Sequence, residues 1–391
     1  MKSYPQLFNI DKNYTAINHG SFGACTREVL NYHIALQKRM ESLTTRFFSL
    51  ELKPLLTESL QYLAGFINAP VDNLVFIRNA TTAANAVINS LTFRPGDEIV
   101  TNNLIYESCR HLLNHLAVDK GVVLRIAKIP FPACKSEEIV AKHMELVNNK
   151  TRLVFIDHIT SETATILPVE KISRELKAYG IPIFIDGAHA PGMIPLDLNI
   201  IAPDYYTGNC HKWLSSPKGA AFLYVDPARQ ENMIPSIISN FFRKGDNVRE
   251  KFYNSFFWSG TAIDYLSCCA VKPAIKHLAE SVEGGWPEIM KRNHELVIKG
   301  RDILREMLDL EIFTPEEMTG SMVTFLLNSR GEKDPLIGID KLLLSLFEKY
   351  KIESFITNLY NTDRRILRIS AHLYNREEDY ARLGTALKEI L

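Results

Sequence analysis

The sequence predicts an α/β protein with a mostly parallel sheet covered by helices on both faces, and a smaller C-terminal α/β domain. Three observations support this fold class. The chain has 391 residues, too many for one small core. Between residues 74 and 185, short apolar runs alternate with helical stretches, as in consecutive β-α-β units. From about residue 270 the pattern changes to longer helices with isolated strands. We therefore expect a large domain at 1–270 and a small domain at 271–391.

The elements before the sheet are helical. Residues 1–20 are expected to form an extended lead-in, and residues 1–30 can pack with the small domain. Apolar spacing predicts helices over 28–46 and 55–67. The second helix is ended by Asn68-Ala69-Pro70, because proline cannot continue a helix.

The alternating part supplies the sheet. Strands are expected at 74–77, 98–101, 122–126, 153–156 and 181–185, with helices at 81–91, 108–118, 136–148 and 168–179 between them. The run Ala220–Val225 also fits a buried strand. The tail predicts helices at 265–279, 289–308, 339–350 and 376–391, and strands at 322–327 and 366–370. Ligands of parallel sheets bind at the carboxyl ends of the strands, so we expect the site there.

Composition argues against several classes of function. Lys+Arg and Asp+Glu both count 45, so no overall charge attracts nucleic acid or an anionic membrane. No apolar run has the length of a membrane span, and the first residues lack the apolar core of a signal peptide. Six scattered cysteines without a CxxC pair indicate reduced thiols in a cytoplasmic protein. No metal site is expected, because no ligand cluster has zinc spacing.

An acid follows one apolar segment of the predicted sheet, and an amine precedes another. Ile183-Phe184-Ile185 ends in Asp186, and Lys212 lies 26 residues later, between His211 and Trp213. Taken alone, the acid fits a helix cap or turn, and the amine fits a surface loop. Together they fit an enzyme that holds pyridoxal 5′-phosphate (PLP). A deprotonated lysine forms a Schiff base with the PLP aldehyde, and a buried carboxylate pairs with the pyridinium nitrogen.

Two further segments fit an anionic ligand. Asn79-Ala80-Thr81-Thr82 follows a strand and opens a helix, where free backbone N–H groups and threonine hydroxyls can bind a phosphate. A simple threonine N-cap is the alternative. Arg368 lies inside an apolar strand and needs an anion, either a substrate carboxylate or a structural ion-pair partner.

These motifs resemble a known family. The segments Asp186-Gly-Ala-His189-Ala-Pro-Gly and Tyr206-Thr-Gly-Asn-Cys-His-Lys212-Trp resemble the class V aminotransferase family of fold-type I PLP-dependent enzymes. Asn18-His19-Gly-Ser-Phe-Gly and Arg368-Ile-Ser-Ala-His-Leu-Tyr-Asn resemble its isopenicillin N epimerase-like branch, as does Asp157-His-Ile-Thr-Ser161. The family also includes cysteine desulfurases. The resemblance implies the PLP-dependent transferase fold and an enzyme acting at Cα or Cβ of an amino acid or its derivative.

The resemblance implies catalytic roles for the matching residues. Lys212 would form the Schiff base and move the proton at Cα, while Asp186 would pair with the pyridine nitrogen. His189 and Ser161 would contact the ring hydroxyl, and Tyr106 would stack on the ring.

The resemblance also implies which residues bind the substrate carboxylate and the PLP phosphate, and which residue reaches a partner subunit. Arg368 would hold the substrate carboxylate, with Asn18 and His19 near it. A homodimer is implied, in which Thr261 of the Ser-Gly-Thr segment reaches the partner's phosphate. The phosphate itself would be held by Thr81, Thr82, Asn209 and His211.

The motifs leave the reaction open. Epimerisation, transamination and β-elimination by a C–S lyase all need Lys212 and Asp186. A cysteine desulfurase or selenocysteine lyase is disfavoured, because no cysteine follows Cys269 and a persulfide would have no C-terminal acceptor. A non-catalytic relative is disfavoured by the intact pair. A nicotinamide-dependent dehydrogenase is disfavoured because no GxGxxG follows the early strands.

Overall fold

The computed structural model describes residues 3–130, 135–258, 264–327, 331–360 and 362–391. The strands of this part are β1 (Thr15–Ala16), β2 (Leu74–Ile77), β3 (Glu98–Asn102), β4 (Val123–Ala127), β5 (Thr151–Asp157), β6 (Ile183–Asp186), β7 (Tyr205–Asn209), β8 (Ala221–Val225), β9 (Glu311–Ile312), β10 (Met322–Leu327), β11 (Ile352–Glu353), β12 (Phe355–Asn358) and β13 (Arg365–Ser370).

The helices separate these strands and cover them. They are α1 (His19–Phe22), α2 (Arg27–Ser42), α3 (Thr44–Arg46), α4 (Leu52–Phe66), α5 (Ala80–Ser90), α6 (Glu107–Lys120), α7 (Ser136–Met144), α8 (Val169–Tyr179), α9 (Leu198–Ile201), α10 (Val248–Phe257), α11 (Leu266–Cys269), α12 (Val271–Ser281), α13 (Gly285–Leu308), α14 (Lys341–Glu348) and α15 (Glu377–Ile390). A π-helical turn, Phe47–Glu51, joins α3 to α4. No helix in the described ranges has an apolar stretch that could cross a membrane.

The large sheet has seven strands in the order β2-β8-β7-β6-β5-β3-β4. β8 runs antiparallel to both of its neighbours, and the other pairs are parallel. All residues of β3, β6, β7 and β8 are buried, as expected when helices cover both faces. The predicted mostly parallel sheet is therefore confirmed.

Side chains along β5 and β6 alternate between two cores. Ile156 and Ile185 pack into the core that contains α4 and α12, whereas Phe155 and Phe184 pack into the core that contains α5 and α6. This alternation follows from the two-residue period of a strand. At the end of α8, Gly180 adopts a left-handed conformation (φ 64°) and turns the chain into β6. This turn leads the chain toward Asp186 at the strand's carboxyl end.

A second sheet, of order β12-β13-β10-β9, is antiparallel and packs against α13 and α15. Its core contains Phe325, Leu367 and Tyr380. The N-terminal lead-in joins this part of the molecule, because β1 pairs with β11 and Ile17 O accepts a hydrogen bond from Ser370 N. The lead-in is not extended throughout as expected, since it also contains the one-turn helix α1.

The division at residue 270 stays a prediction. α12, the first helix after it, packs Ile275 and Leu278 into the same core as α4. The helix expected over 265–279 is interrupted at Ala270, between α11 and α12.

Candidate active site

A cavity of about 230 Å³ opens at the carboxyl ends of three adjacent parallel strands. Asp157, Asp186 and Asn209 are the last residues of β5, β6 and β7, and all three line it. The structure thereby brings together side chains from distant parts of the chain, as the sheet topology predicts. The predicted site residues on its wall are Thr81, Tyr106, Ser161, Asp186, His189, Asn209, His211 and Lys212.

Lys212 lies against His189 in this wall. Its Nζ is 3.0 Å from His189 Nε2. The Trp213 indole N–H, which can only donate, is 3.4 Å from His189 Nδ1. Burial lowers the pKa of His189 well below its usual range, so the ring is neutral and carries its proton on Nε2. That N–H can donate to Lys212 Nζ only when the lysine is a neutral amine.

The electrostatic surroundings of Lys212 also favour the neutral amine. Burial and the nearby Arg368 guanidinium lower the lysine pKa to about 8, against the opposing effects of Asp186 and Asp157. About a tenth of this amine is therefore unprotonated at pH 7, against less than about a thousandth for a lysine of ordinary pKa. An unprotonated amine is the form that attacks a carbonyl carbon.

Asp186 is a buried carboxyl group with weak partners. Its Oδ1 accepts a hydrogen bond from Ala188 N at 2.9 Å, and its Oδ2 accepts one from Cys109 Sγ at 3.5 Å. Burial raises the pKa of Asp186. Gly187, next in the chain, is required because a Cβ there would lie 2.1 Å from the Tyr206 hydroxyl. A protonated nitrogen heterocycle in the cavity would supply the strong donor that Asp186 lacks.

The start of α5 forms another part of the wall. The Asn79 side chain accepts hydrogen bonds from Thr82 N and Thr82 Oγ1, at 2.8 and 3.0 Å. Asn209 Oδ1 accepts one from Ala80 N at 3.0 Å. Thr81 faces the cavity, whereas Thr82 is turned toward its cap and a separate apolar cavity. The helix N-terminus is thus fixed by side chains before any anion binds.

Arg368 is a fully buried guanidinium held by neutral acceptors. It donates to Ser161 O, to Ser21 Oγ at 2.8 Å and to Asn18 Oδ1 at 3.2 Å, and its plane lies 4.2 Å above the Phe355 ring. Its Nε has no partner in the described structure. Burial lowers its pKa to about 10. Glu162 attracts this guanidinium, but no acid of the described ranges is shown in an ion pair with it, so the cation is suited to an anionic ligand. Ser21 and Ser161 connect it to the cavity wall.

Four of the predicted residues that the structure describes do not line the cavity, namely Asn18, His19, Thr82 and Arg368. The His19 ring is stacked on the His372 ring, with 3.8 Å between the ring centroids. Its Nδ1 is hydrogen-bonded to Tyr374 Oη, and its Nε2 is hydrogen-bonded to Lys212 O, both at 3.1 Å. Because a carbonyl oxygen only accepts, Nε2 carries the ring proton and Tyr374 donates to Nδ1. Thr261 lies outside the described residues.

The sequence profile of the aminotransferase class-V family matches residues 28–383, which is most of the chain. The chain belongs to the aminotransferase class-V family. It is 30% identical to a probable chloroplastic L-cysteine desulfhydrase of Arabidopsis thaliana, across 97% of this chain and 84% of that protein. It is also 30% identical to the isopenicillin N epimerase of Streptomyces clavuligerus, across 97% of this chain and 95% of that protein.

Solved structures confirm the fold of this class-V protein. The apo cysteine desulfurase from Thermococcus onnurineus NA1 superposes with a TM-score of 0.81 over all of this chain and 98% of that chain, at 17% identity. The predicted PLP-dependent transferase fold type I is therefore confirmed. The predicted class V aminotransferase family is confirmed by the family match, and the relatives include an isopenicillin N epimerase and an L-cysteine desulfhydrase.

The cavity of this class-V enzyme fits PLP, the cofactor of the family. Asp186 is buried without a cationic hydrogen-bond partner in the described structure, and a pyridinium N–H would provide one. Lys212 offers an amine of lowered pKa, and Thr81 lies on the wall at the start of α5. In the described ranges, no group of three or more His, Cys, Asp or Glu side chains is arranged to hold a metal ion.

Three residues of this class-V site have no role predicted from the sequence, although Asp157 belongs to one of the motifs that resemble the family. Asp157 lies beside Asp186, Ser21 binds Arg368, and Cys109 contacts Asp186. Asp157 ends the apolar run Leu153–Ile156 in the way that Asp186 ends its own strand, so the same pattern could have identified it. Cys109 lies on an ordinary amphipathic helix, and nothing in the sequence singles it out.

Proposed function

We propose that this PLP-dependent enzyme is a C–S lyase, which eliminates the sulfur substituent from a cysteine derivative. The observation that carries the proposal is one amine of near-neutral pKa, Lys212, beside the neutral His189. PLP, when bound, withdraws electrons from Cα and so makes its proton acidic. Lys212 Nζ takes this proton, the Cβ–S bond breaks, and a Cα–Cβ double bond forms. The same Nζ then returns a proton to the departing sulfur.

The sulfur chemistry has support in the thiols of the chain and in its relatives. Burial raises the pKa of Cys109 and Cys210, and raises that of Cys25 to about 11. No cysteine follows Cys269, so sulfur leaves as a free thiol instead of passing to a C-terminal cysteine. Relatives named as L-cysteine desulfhydrases support this assignment, as does a hercynylcysteine sulfoxide lyase of Schizosaccharomyces pombe, 27% identical over 98% of this chain.

The remaining roles complete the proposal. Asp186 pairs with the ring nitrogen, His189 and Ser161 contact the ring hydroxyl, and Tyr106 stacks on the ring. Arg368 holds the substrate carboxylate, supported by Asn18. The phosphate is bound by Thr81, Asn209 and His211, whereas Thr82 closes the N-cap of α5 with Asn79. We also propose that the protein is a cytoplasmic homodimer in which Thr261 reaches the partner's site. Sedimentation velocity measures whether the protein is a dimer.

The experiment offers L-cysteine, L-cystine and S-alkyl cysteine conjugates to the holoenzyme in D₂O. We expect pyruvate and the sulfur product in equal amounts, since the elimination product hydrolyses to pyruvate and ammonia. The sulfur product is hydrogen sulfide from L-cysteine, cysteine persulfide from L-cystine and the alkyl thiol from a conjugate. Recovered substrate should remain the L-enantiomer. Racemised substrate without pyruvate would show that the enzyme is an epimerase instead of a lyase. Transfer of the amino group to an added keto acid would show that it is an aminotransferase.

Epimerisation is the second candidate, favoured by a hydroxyl on the cavity wall. It requires a proton donor on the face of Cα opposite the one that Lys212 serves. Tyr106 lines the cavity and is 38% exposed, so it can reach a bound amino acid. If the holoenzyme racemises substrate, Tyr106→Phe should abolish inversion while deuterium exchange at Cα continues. An elimination catalyst should retain thiol release in the same variant.

Arg368→Lys is expected to raise KM for the amino acid by about 10- to 100-fold, with a smaller change in kcat. Lysine keeps the charge but loses the planar fork that grips a carboxylate. Steady-state kinetics measure the split between the two constants. Arg292→Lys is the matched control, because Arg292 is also a buried arginine but donates to His372 O and Asn375 O, away from the cavity. A lower kcat at unchanged KM in Arg368→Lys would contradict the assignment.

A further inference from the structure

Asp157 and Asp186 form a pair of buried carboxyl groups on neighbouring strands. They are paired in the parallel register of β5 and β6, so their side chains lie on the same face of the sheet. Both line the cavity and both are almost completely buried. Two carboxyl groups that are paired in register and both buried cannot both ionise readily, because burial and the like charge each disfavour the second negative charge. One of them must hold a proton, and their surroundings determine which.

The hydrogen bonds favour the charge on Asp186. Both of its oxygens accept a bond, from Ala188 N and from Cys109 Sγ. Asp157 accepts only one, from Tyr106 N to Oδ2 at 3.0 Å, and its buried Oδ1 has no partner in the described structure. An unpartnered oxygen stabilises a negative charge poorly, whereas a protonated oxygen there carries no charge that needs partners.

The charges around Asp157 also favour its protonated form over its ionised form. The groups that face Asp157 are Asp186 on β6, Cys109 and Arg110 on α6, and Lys212 after β7. Burial and Asp186 raise the pKa of Asp157 well above its usual range, and this effect exceeds the opposing pull of Arg110 and Lys212.

We propose that Asp157 is a positioning residue that remains a neutral carboxylic acid beside ionised Asp186. Its Oδ2 fixes the backbone N–H of Tyr106 at the start of α6, and its buried Oδ1 carries the proton. Asp157 thereby leaves the single negative charge of the pair on Asp186, the partner of the ring nitrogen. The inference rests on the proposed role of Asp186 but not on which reaction follows.

The test compares the same isosteric change at the two neighbouring positions, Asp157→Asn and Asp186→Asn. Infrared difference spectra of the apoproteins at pH 7 should show the loss of a protonated-carboxyl band in Asp157→Asn and its retention in Asp186→Asn. PLP titration should give Asp157→Asn a Kd within about threefold of wild type, and Asp186→Asn a Kd raised at least tenfold. Loss of the band in Asp186→Asn alone, or equal loss of PLP affinity in both variants, would overturn the proposal.

A third variant separates positioning from simple space filling. Asp157→Ala removes the acceptor for Tyr106 N, so its bound-PLP absorbance should shift and its PLP Kd should rise. Asp157→Asn keeps a carbonyl oxygen and should restore both. If Asp157→Ala binds PLP with wild-type affinity and absorbance, the positioning role is wrong, whatever the lyase assay shows.

Stability against pH provides an independent check. A carboxyl with a raised folded pKa takes up a proton on folding, so wild-type stability falls as pH rises above the ordinary aspartate pKa, about 4. Asp157→Asn removes this contribution, and its apoprotein Tm should fall less between pH 5 and pH 8. If Tm falls equally between pH 5 and pH 8 in Asp157→Asn and in wild type, Asp157 is not the group that holds the proton.

Discussion

Lys212→Ala is expected to lower thiol release from a cysteine derivative by at least about 10³-fold, because the variant loses both the amine that bonds PLP and the base at Cα. PLP should still enter the cavity through Asp186 and the wall around Thr81, but dialysis should remove it. Two measurements check this: the visible absorbance of the loaded protein after dialysis, and the rate of pyruvate formation. Both should fall together.

The pH dependence of PLP capture by wild type follows from the same amine. Only the neutral lysine attacks, and the Lys212 pKa is about 8, so the capture rate should rise with pH and reach half its maximum near pH 8. An unperturbed lysine would place this midpoint at about pH 10.4. Lys218→Ala is the matched control: Lys218 lies on the same loop but is exposed and donates to Gly23 O. Normal PLP retention in Lys212→Ala would contradict the assignment.

Asp186→Asn is expected to weaken PLP binding about 10- to 100-fold and to lower turnover further, by about 10²-fold or more. The amide keeps the shape of the carboxyl but cannot carry the negative charge that stabilises a protonated ring nitrogen. Ala188 N and Cys109 Sγ remain in place, so the fold should persist. Circular dichroism and PLP titration separate the loss of charge from a loss of structure.

Asp204→Asn offers a comparison for this change. Asp204 is an acid at the opposite end of the sheet, where it accepts hydrogen bonds from Ile183 N and Arg229 Nε. Its loss should lower Tm without changing PLP affinity. If Asp186→Asn bound PLP as tightly as wild type, the ring nitrogen would have another partner.

The alternation of elements could be predicted because buried parallel strands are short and continuously apolar. β2, expected at 74–77, is found there, and β6 is found at Ile183–Asp186. β7 was missed because only Tyr205 and Tyr206 precede Thr-Gly-Asn, which has no apolar run. The reversed direction of β8 is not visible in a local pattern, since an antiparallel strand buried on both faces is as apolar as a parallel one.

Site residues could be predicted from the sequence where the chemistry requires one particular residue type, such as a lysine for the Schiff base and an acid for the ring nitrogen. Asp186 ends the apolar run of β6, Lys212 lies between β7 and the apolar strand β8, and both line one cavity. His19 shows the limit of such reasoning: its motif places it near Arg368, but the side chain stacks on His372 and contacts Lys212 O. That orientation depends on the C-terminal part of the chain, more than 350 residues away, and no local pattern specifies it.

The most direct test of the central claim is borohydride reduction of the PLP-loaded protein, followed by peptide mapping. Reduction makes the lysine–PLP bond permanent, so the modified peptide identifies the amine that PLP selects. The geometry around His189 and the lowered pKa of Lys212 predict one modification, on Lys212. Modification of Lys218 or of several surface lysines, with Lys212 unmodified, would contradict the assignment of this cavity as the PLP site.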